Sequence, residues 1–169
     1  MKRYFSMQRM ALLFCWLALG AAHAEPVHQG TLLLDGAYAR ATVPGQEVGA
    51  AYLTIENTGA AADRLMGASS SVARSVVLHS SQMDQGMARM HHEASLEIPA
   101  HGRVEMMPGG LHLMLEDLKK PLREGETLRM KLKFEHAGEV DIAVPVKPLL
   151  PEGGMGTMHH DSMHHDSMH

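Results

Sequence analysis

The sequence predicts an all-β protein: a single antiparallel β-sandwich over residues 25 to 148, with an export leader before it and a short low-complexity tail after it. Three observations carry that prediction. Apolar side chains recur at every second residue through much of the span from about 31 to 148. Turn-forming clusters break this pattern into short runs, at intervals typical of sandwiches. No segment shows the 3.6-residue periodicity with capping signals that an amphipathic helix needs.

Residues 1 to 24 have the form of a secretory signal: Lys2, Arg3 and Arg9 make a basic start, Ala11 to Ala22 an apolar stretch, and Ala22-His23-Ala24 a small-x-small cleavage site. The mature chain is expected to begin at Glu25. The apolar stretch is shorter than the roughly 20 residues that cross a bilayer, and no later segment comes closer, so the mature chain is expected to have no membrane span. Lipidation is not expected either, because the lone cysteine, Cys15, sits inside the apolar stretch behind Phe14, where a lipoprotein cleavage site would want a small residue.

Within the mature part, Ala51, Leu53 and Ile55 alternate with Tyr52, Thr54 and Glu56 and run into the turn-like Asn57-Thr58-Gly59. Val72 to His79, Met87 to His92, Arg103 to Met107 and Leu111 to Leu115 supply further short strands. Leu128, Met130, Leu132 and Phe134 alternate with Arg129, Lys131, Lys133 and Glu135, and Val140, Ile142, Val144 and Val146 repeat the scheme after a turn at Ala137-Gly138. That last pair reads as a half-buried antiparallel hairpin. Beyond Pro148, residues 149 to 154 read as a linker. The tail then repeats Met158-His159-His160-Asp161-Ser162 as Met163-His164-His165-Asp166-Ser167 and closes on Met168-His169. It has no apolar periodicity to bury and is expected to be disordered without metal.

Composition excludes several functions. Loss of the leader leaves a mature chain without cysteine, which removes thiol oxidoreductases, blue-copper electron carriers and Cys-ligated zinc modules. The leader also carries off three basic residues and no acidic ones, leaving 12 Lys and Arg against 19 Asp and Glu, a formal charge of −7. Such a surface repels phosphate backbones, so no nucleic-acid partner is expected. Ser, His and Asp residues occur without a recognisable catalytic spacing, and an enzyme is not expected. The mature chain has only three aromatic residues but 12 Met and 12 His, a composition that suggests metal handling.

Four of these residues form a spaced set: His79, ten residues, Met90, twenty-one residues, then His112-Leu113-Met114. Two imidazoles and two thioethers, without thiolate or carboxylate, favour Cu(I) over harder divalent ions. Strand parity sends Leu111, Leu113 and Leu115 inward and turns His112 and Met114 outward together, with Cα atoms roughly 6.6 Å apart. The same parity sets His79 opposite to Val76 and Leu78. The parity of Met90 is undecided, because Met87 to His92 mixes polar and apolar side chains. If that segment pairs beside the strand carrying His112, all four donors can converge. Neutral donors leave the ion its charge and hold it exchangeably. Protonation of the two imidazoles should weaken binding below about pH 6.5.

Other candidates have plainer readings. Met83 and Met87 could form a secondary soft patch but read as loop residues. His91 and His92 read as solvent-exposed, and His28, His101 and His136 as ordinary surface histidines. One of Met106 and Met107 should pack inward, since neighbours on a strand face opposite sides. In the tail, Met158, His159, His160, Met163, His164, His165, Met168 and His169 form an auxiliary donor set, its imidazoles suited to Cu(II) and its thioethers to Cu(I).

The spacing His79-x10-Met90-x21-His112-x-Met114 resembles the signature of the periplasmic PCuAC copper chaperones, as do the flanking Pro108-Gly109-Gly110-Leu111 and Phe134-Glu135-His136-Ala137-Gly138-Glu139. The resemblance spans about 31 to 148. It implies a cupredoxin-like β-sandwich that binds one Cu(I) through His79, Met90, His112 and Met114. It further implies delivery toward the copper sites of respiratory cytochrome oxidase, directly or with a Sco-type thiol protein. The optional methionine after the first histidine is absent, since position 80 is Ser. A periplasmic copper buffer or detoxification protein using the tail is the alternative.

Overall fold

The computed structural model describes residues 24 to 149 other than 85 and 86, together with the backbone alone at Met83 and Ala88. The expectations for the leader before Ala24 and for the tail fall outside the described residues. Eleven strands follow in chain order: β1 (Val27–Gln29), β2 (Leu32–Arg40), β3 (Gly49–Asn57), β4 (Asp63–Ser70), β5 (Ser75–Asp84), β6 (Met87–His92), β7 (Leu96–Ile98), β8 (Arg103–Glu105), β9 (Leu111–Glu116), β10 (Thr127–Phe134) and β11 (Glu139–Lys147). No helix occurs among the described residues, and so none is long and apolar enough to cross a membrane.

Strands β2, β11, β10, β4, β5, β9 and β3 are hydrogen-bonded in succession, and β2 pairs back to β3, so seven strands close into a ring. The expectation of a wholly antiparallel arrangement needs one correction. β11 runs parallel to β2, through Val146 beside Ala39 and Lys147 beside Arg40. The reason is one of parity: strand direction cannot alternate all the way round a closed ring with an odd number of members, so one neighbouring pair must be parallel. The four short strands hang on this ring, with β6 paired to β5 and β7 to β4.

The hairpin forms as its alternation dictates. Leu128, Met130, Leu132 and Phe134 of β10 and Val140, Ile142, Val144 and Val146 of β11 are all buried, in register as Leu128 with Val144, Met130 with Ile142 and Leu132 with Val140. Each such aliphatic side chain contributes on the order of 2 kcal/mol by leaving water. Between them Lys131 pairs with Glu139 across the exposed face at 3.1 Å. Met106 is the inward member of its pair, and Met107 stays exposed.

Three segments depart from the sequence reading. β2 is interrupted by a bulge between Asp35 and Tyr38, where Gly36 takes φ +62°, a conformation that glycine adopts without Cβ strain. β5 starts at Ser75 and not at Val72, because residues 71–74 form a turn in which the Ala73 N–H bonds back to Ser70 O. It then runs on to Asp84, where its last residues pair with β6, so Met83 and Met87 belong to strands and not to a loop.

Candidate metal centre

The site is built on three adjacent strands, β9, β5 and β6, in that order. Residues directly opposite one another in an antiparallel pair point to the same face. On β5 and β9, Leu78 faces Leu113 and Val76 faces Leu115 toward the core, so the intervening pairs, His79 with His112 and Val77 with Met114, share the other face. On β5 and β6, His79 faces His92 and Ser81 faces Met90. Ser81 lies two residues from His79 and shares its face, which settles the parity of Met90: it is on the side of the histidines. The segment carrying Met90 does not pair beside the strand of His112, the condition under which convergence was expected. It lies across β5, and the four residues share a face because β5 relays the register.

Met90, His112 and Met114 line one open cavity of about 300 Å³, together with Arg40, Tyr52, Ser81, Gly109 and neighbouring residues. Among the described residues that line it there is no carboxylate, and Arg40 is the one charged group. Hard cations find nothing to hold them there, whereas a soft ion finds neutral nitrogen and sulfur. His79 is not part of the cavity wall but stands beside it, its ring centroid 5.9 Å from that of His112 and its plane at 89°.

His112 is positioned for ligation. It points away from Leu113 and Leu115 as parity requires, but it is covered, with 8% of its surface exposed. Tyr52 of β3 is one of its covering neighbours, with ring centroids 6.4 Å apart. The His112 Nδ1 lies 3.0 Å from Gly110 O. A carbonyl can only accept, so in the neutral ring Nδ1 carries the hydrogen and Nε2 keeps its lone pair for a metal. Gly109, at φ +82°, makes the turn that brings Gly110 back beneath the ring. The Nδ1 atom of His79 is buried and has no hydrogen-bond partner among the described residues, which makes it an imidazole nitrogen that can accept an ion. Burial pushes the Tyr52 hydroxyl above its usual pKa, against the opposing pull of Arg40, so this wall of the cavity stays a neutral phenol.

Met114 is half-buried and Met90 is 59% exposed. Of the four candidate residues Met90 alone faces solvent, while the rest are sheltered. Sequence reasoning passed over one residue, His92. It is exposed, as expected, yet its ring centroid is 5.9 Å from that of His79 at 88°. The signal was available: Met90-x-His92 has the same two-residue spacing as His112-x-Met114. His91, opposite Ser80, is on the other face. The tail residues 158 to 169 fall outside the described residues.

The LpqE-like family model, described as "Putative lipoprotein LpqE-like", matches residues 32–146. A relative from Leifsonia xyli subsp. xyli named "Putative lipoprotein Lxx21020" is 33% identical over 140 residues, 82% of this chain and 83% of that one. Among solved structures, the copper-bound PCuAC domain from PmoF2 superposes with a TM-score of 0.64 at 31% identity, covering 73% of this chain and 98% of that domain. Apo-DR1885 from Deinococcus radiodurans gives a TM-score of 0.56 at 30% identity over 88% of this chain and 94% of its own. Its Cu(I) form matches at 35% identity with a TM-score of 0.55, over 66% of this chain and 74% of that one.

Proposed function

The chain belongs to the LpqE-like, PCuAC-type family, and from that premise we propose that it is an exported copper-binding chaperone. In this reading it holds one cuprous ion between His79, Met90, His112 and Met114 on a cupredoxin-like scaffold and surrenders it to an acceptor protein. The observation that carries the proposal is the register of β9, β5 and β6, which gathers two imidazoles and two thioethers on one face beside a cavity with no carboxylate among its described lining residues. The solved relatives described as copper-bound and as a Cu(I) form support the choice of metal.

Each residue has a role in such a mechanism. Gly110 O fixes the tautomer of His112 so that Nε2 faces the ion. His79 supplies the second nitrogen from the neighbouring strand, and Met114 a thioether that no change of pH will protonate. Met90, the exposed donor, is the ligand an incoming acceptor displaces first. All donors are neutral, so a cysteine-bearing acceptor wins the ion by thiolate affinity, without any redox step. The acceptor is a cytochrome oxidase copper site or a Sco-type thiol protein, and the place is the periplasm, reached through the leader at residues 1 to 24. The names of the relatives, as lipoproteins, support export.

Anaerobic incubation of the Cu(I)-loaded protein with a soluble oxidase copper domain or a Sco-type dithiol tests the proposal. Copper should move to the acceptor, and cells carrying His112→Gln should lose oxidase copper. Loss of copper tolerance with intact oxidase loading would instead support the buffer reading, which the two His/Met repeats of the tail favour.

A further inference from the structure

Resting on the copper reading above, we propose that His92 is a fifth copper donor. With His79 and Met90 it forms an outer position, on the side of β5 away from His112, that copper occupies on its way between the inner site and an incoming acceptor.

The register places a histidine opposite His79 on each side of β5, with the two methionines displaced toward opposite ends of that strand, Met114 opposite Val77 and Met90 opposite Ser81. On one side β9 presents His112 and, two residues on, Met114; on the other β6 presents Met90 and, two residues on, His92. His79 stands between them and is directly opposite both histidines. Its ring is 5.9 Å from each and perpendicular to each, at 88° and 89°. A central imidazole with an unpartnered buried nitrogen and an imidazole neighbour on either side is a shared ligand. The outer neighbour is the accessible one: His92 and Met90 are exposed, and β6 pairs only with β5 among the described residues.

The three imidazoles do not make a single three-histidine site. Among the described residues no group of three His, Cys, Asp or Glu side chains is close enough to hold one ion. The geometry gives two overlapping pairs, His79 with His112 and His79 with His92. Copper therefore moves by exchanging one nitrogen for another while His79 and Met90 stay bound. The bonds from copper to His112 nitrogen and Met114 sulfur break as the bond to His92 nitrogen forms, so four-coordinate copper becomes three-coordinate, the oxidation state stays Cu(I), and the ion is never released to water. The donors on both sides are neutral, and the thioether lost with Met114 makes the outer position the weaker of the two.

The test uses the mature full-length protein with 15N-labelled histidine and one equivalent of Cu(I), added anaerobically, and reads the ring-nitrogen shifts of His79. If His79 does not respond in the wild type, the copper reading itself fails. With a responding wild type, the proposal expects His112→Gln to retain the His79 shift and to add one at His92. The double variant His112→Gln/His92→Gln should lose the His79 response, and His112→Gln/His91→Gln should keep it. Loss of the His79 response on His112→Gln alone in a folded protein, or its survival in the double variant, overturns the outer position. Because His112 is buried, the same series is run on Met114→Leu, which leaves the bond from His112 to Gly110 in place. There a His92 shift on copper addition is expected, and its absence again overturns the proposal.

Discussion

Replacing Asp63 by Asn removes one charge and almost nothing else, and the structure sets the cost. Asp63 is 7% exposed at the start of β4. Its Oδ1 accepts the backbone N–H of Arg64 at 2.7 Å and of His136 at 2.9 Å, and its Oδ2 accepts that of Ala137 at 2.9 Å. The carboxylate thus ties β4 to the β10–β11 hairpin, part of the ring that carries the site. Burial works to raise the pKa of this group, but the three backbone donors outweigh it and hold the carboxyl below the usual 3.8. Asparagine has a single oxygen. Turned to serve the two donors at Oδ1, it aims its own NH2 at the N–H of Ala137. One charge-assisted bond is lost outright, at about 1.5 to 3 kcal/mol, and two are weakened, so the variant should lose about 2 to 4 kcal/mol at neutral pH. In a domain of this size that is a fall in Tm of roughly 10 °C. The sign of the pH dependence follows from the depressed pKa: the stabilisation is present above the unfolded value near 3.8 and is lost as pH falls through the lower folded value. Urea unfolding of both proteins from pH 7 down to about pH 2.5 measures the gap, which should close in acid. A gap under about 0.5 kcal/mol at pH 7, or one that persists unchanged in acid, would mean that the Asp63 charge does not tie β4 to the hairpin.

Met114→Leu keeps volume and burial while removing the sulfur, so Cu(I) affinity measured against a competing cuprous chelator should fall at least about tenfold while stability shifts by under about 1.5 kcal/mol. Asn57 is 1% exposed and fully satisfied: its Nδ2 donates to Ala61 O and Ile98 O, and its Oδ1 accepts from Thr31 Oγ1 and the Gly59 N–H. Asn57→Ala should destabilise by about 3 kcal/mol in urea melts, most of it from buried groups left unpaired. Truncation after Gly154 should lower Cu(II) stoichiometry in equilibrium dialysis and spare one Cu(I), since the tail alone holds the imidazole repeats. Unchanged Cu(II) binding would remove the tail from metal capture.

The parts of the fold that could be read in advance are those where one face is buried and the other solvated. Leu128 to Phe134 and Val140 to Val146 alternate without interruption, and their faces followed directly. The same logic placed His112 and Met114 opposite to Leu113 and Leu115. Alternation gives a direction, however, and not what lies in that direction. His112 faces away from the core and is nonetheless covered, because Tyr52 from a strand distant in sequence stands beside it. Met90 was illegible for a different reason. Met87 to His92 sits at the edge of β5, where neither face is strongly apolar, so only its pairing with Ser81 fixes its side. His92 was passed over for the same cause, its proximity to His79 being a matter of cross-strand register. β2 hid behind the bulge at Gly36, which breaks its period. β4 hid because its exposed Met66 and small residues blur the alternation, with Leu65 its one apolar side chain deep in the core.

Extended X-ray absorption on the mature protein carrying one equivalent of Cu(I), before and after truncation at Gly154, bears most directly on the chaperone reading. Nitrogen and sulfur bound to copper are expected in both forms, with sulfur reduced by Met114→Leu and nitrogen reduced by His112→Gln. A coordination sphere of nitrogen alone, or one that neither substitution alters, would exclude the His/Met face as the copper site.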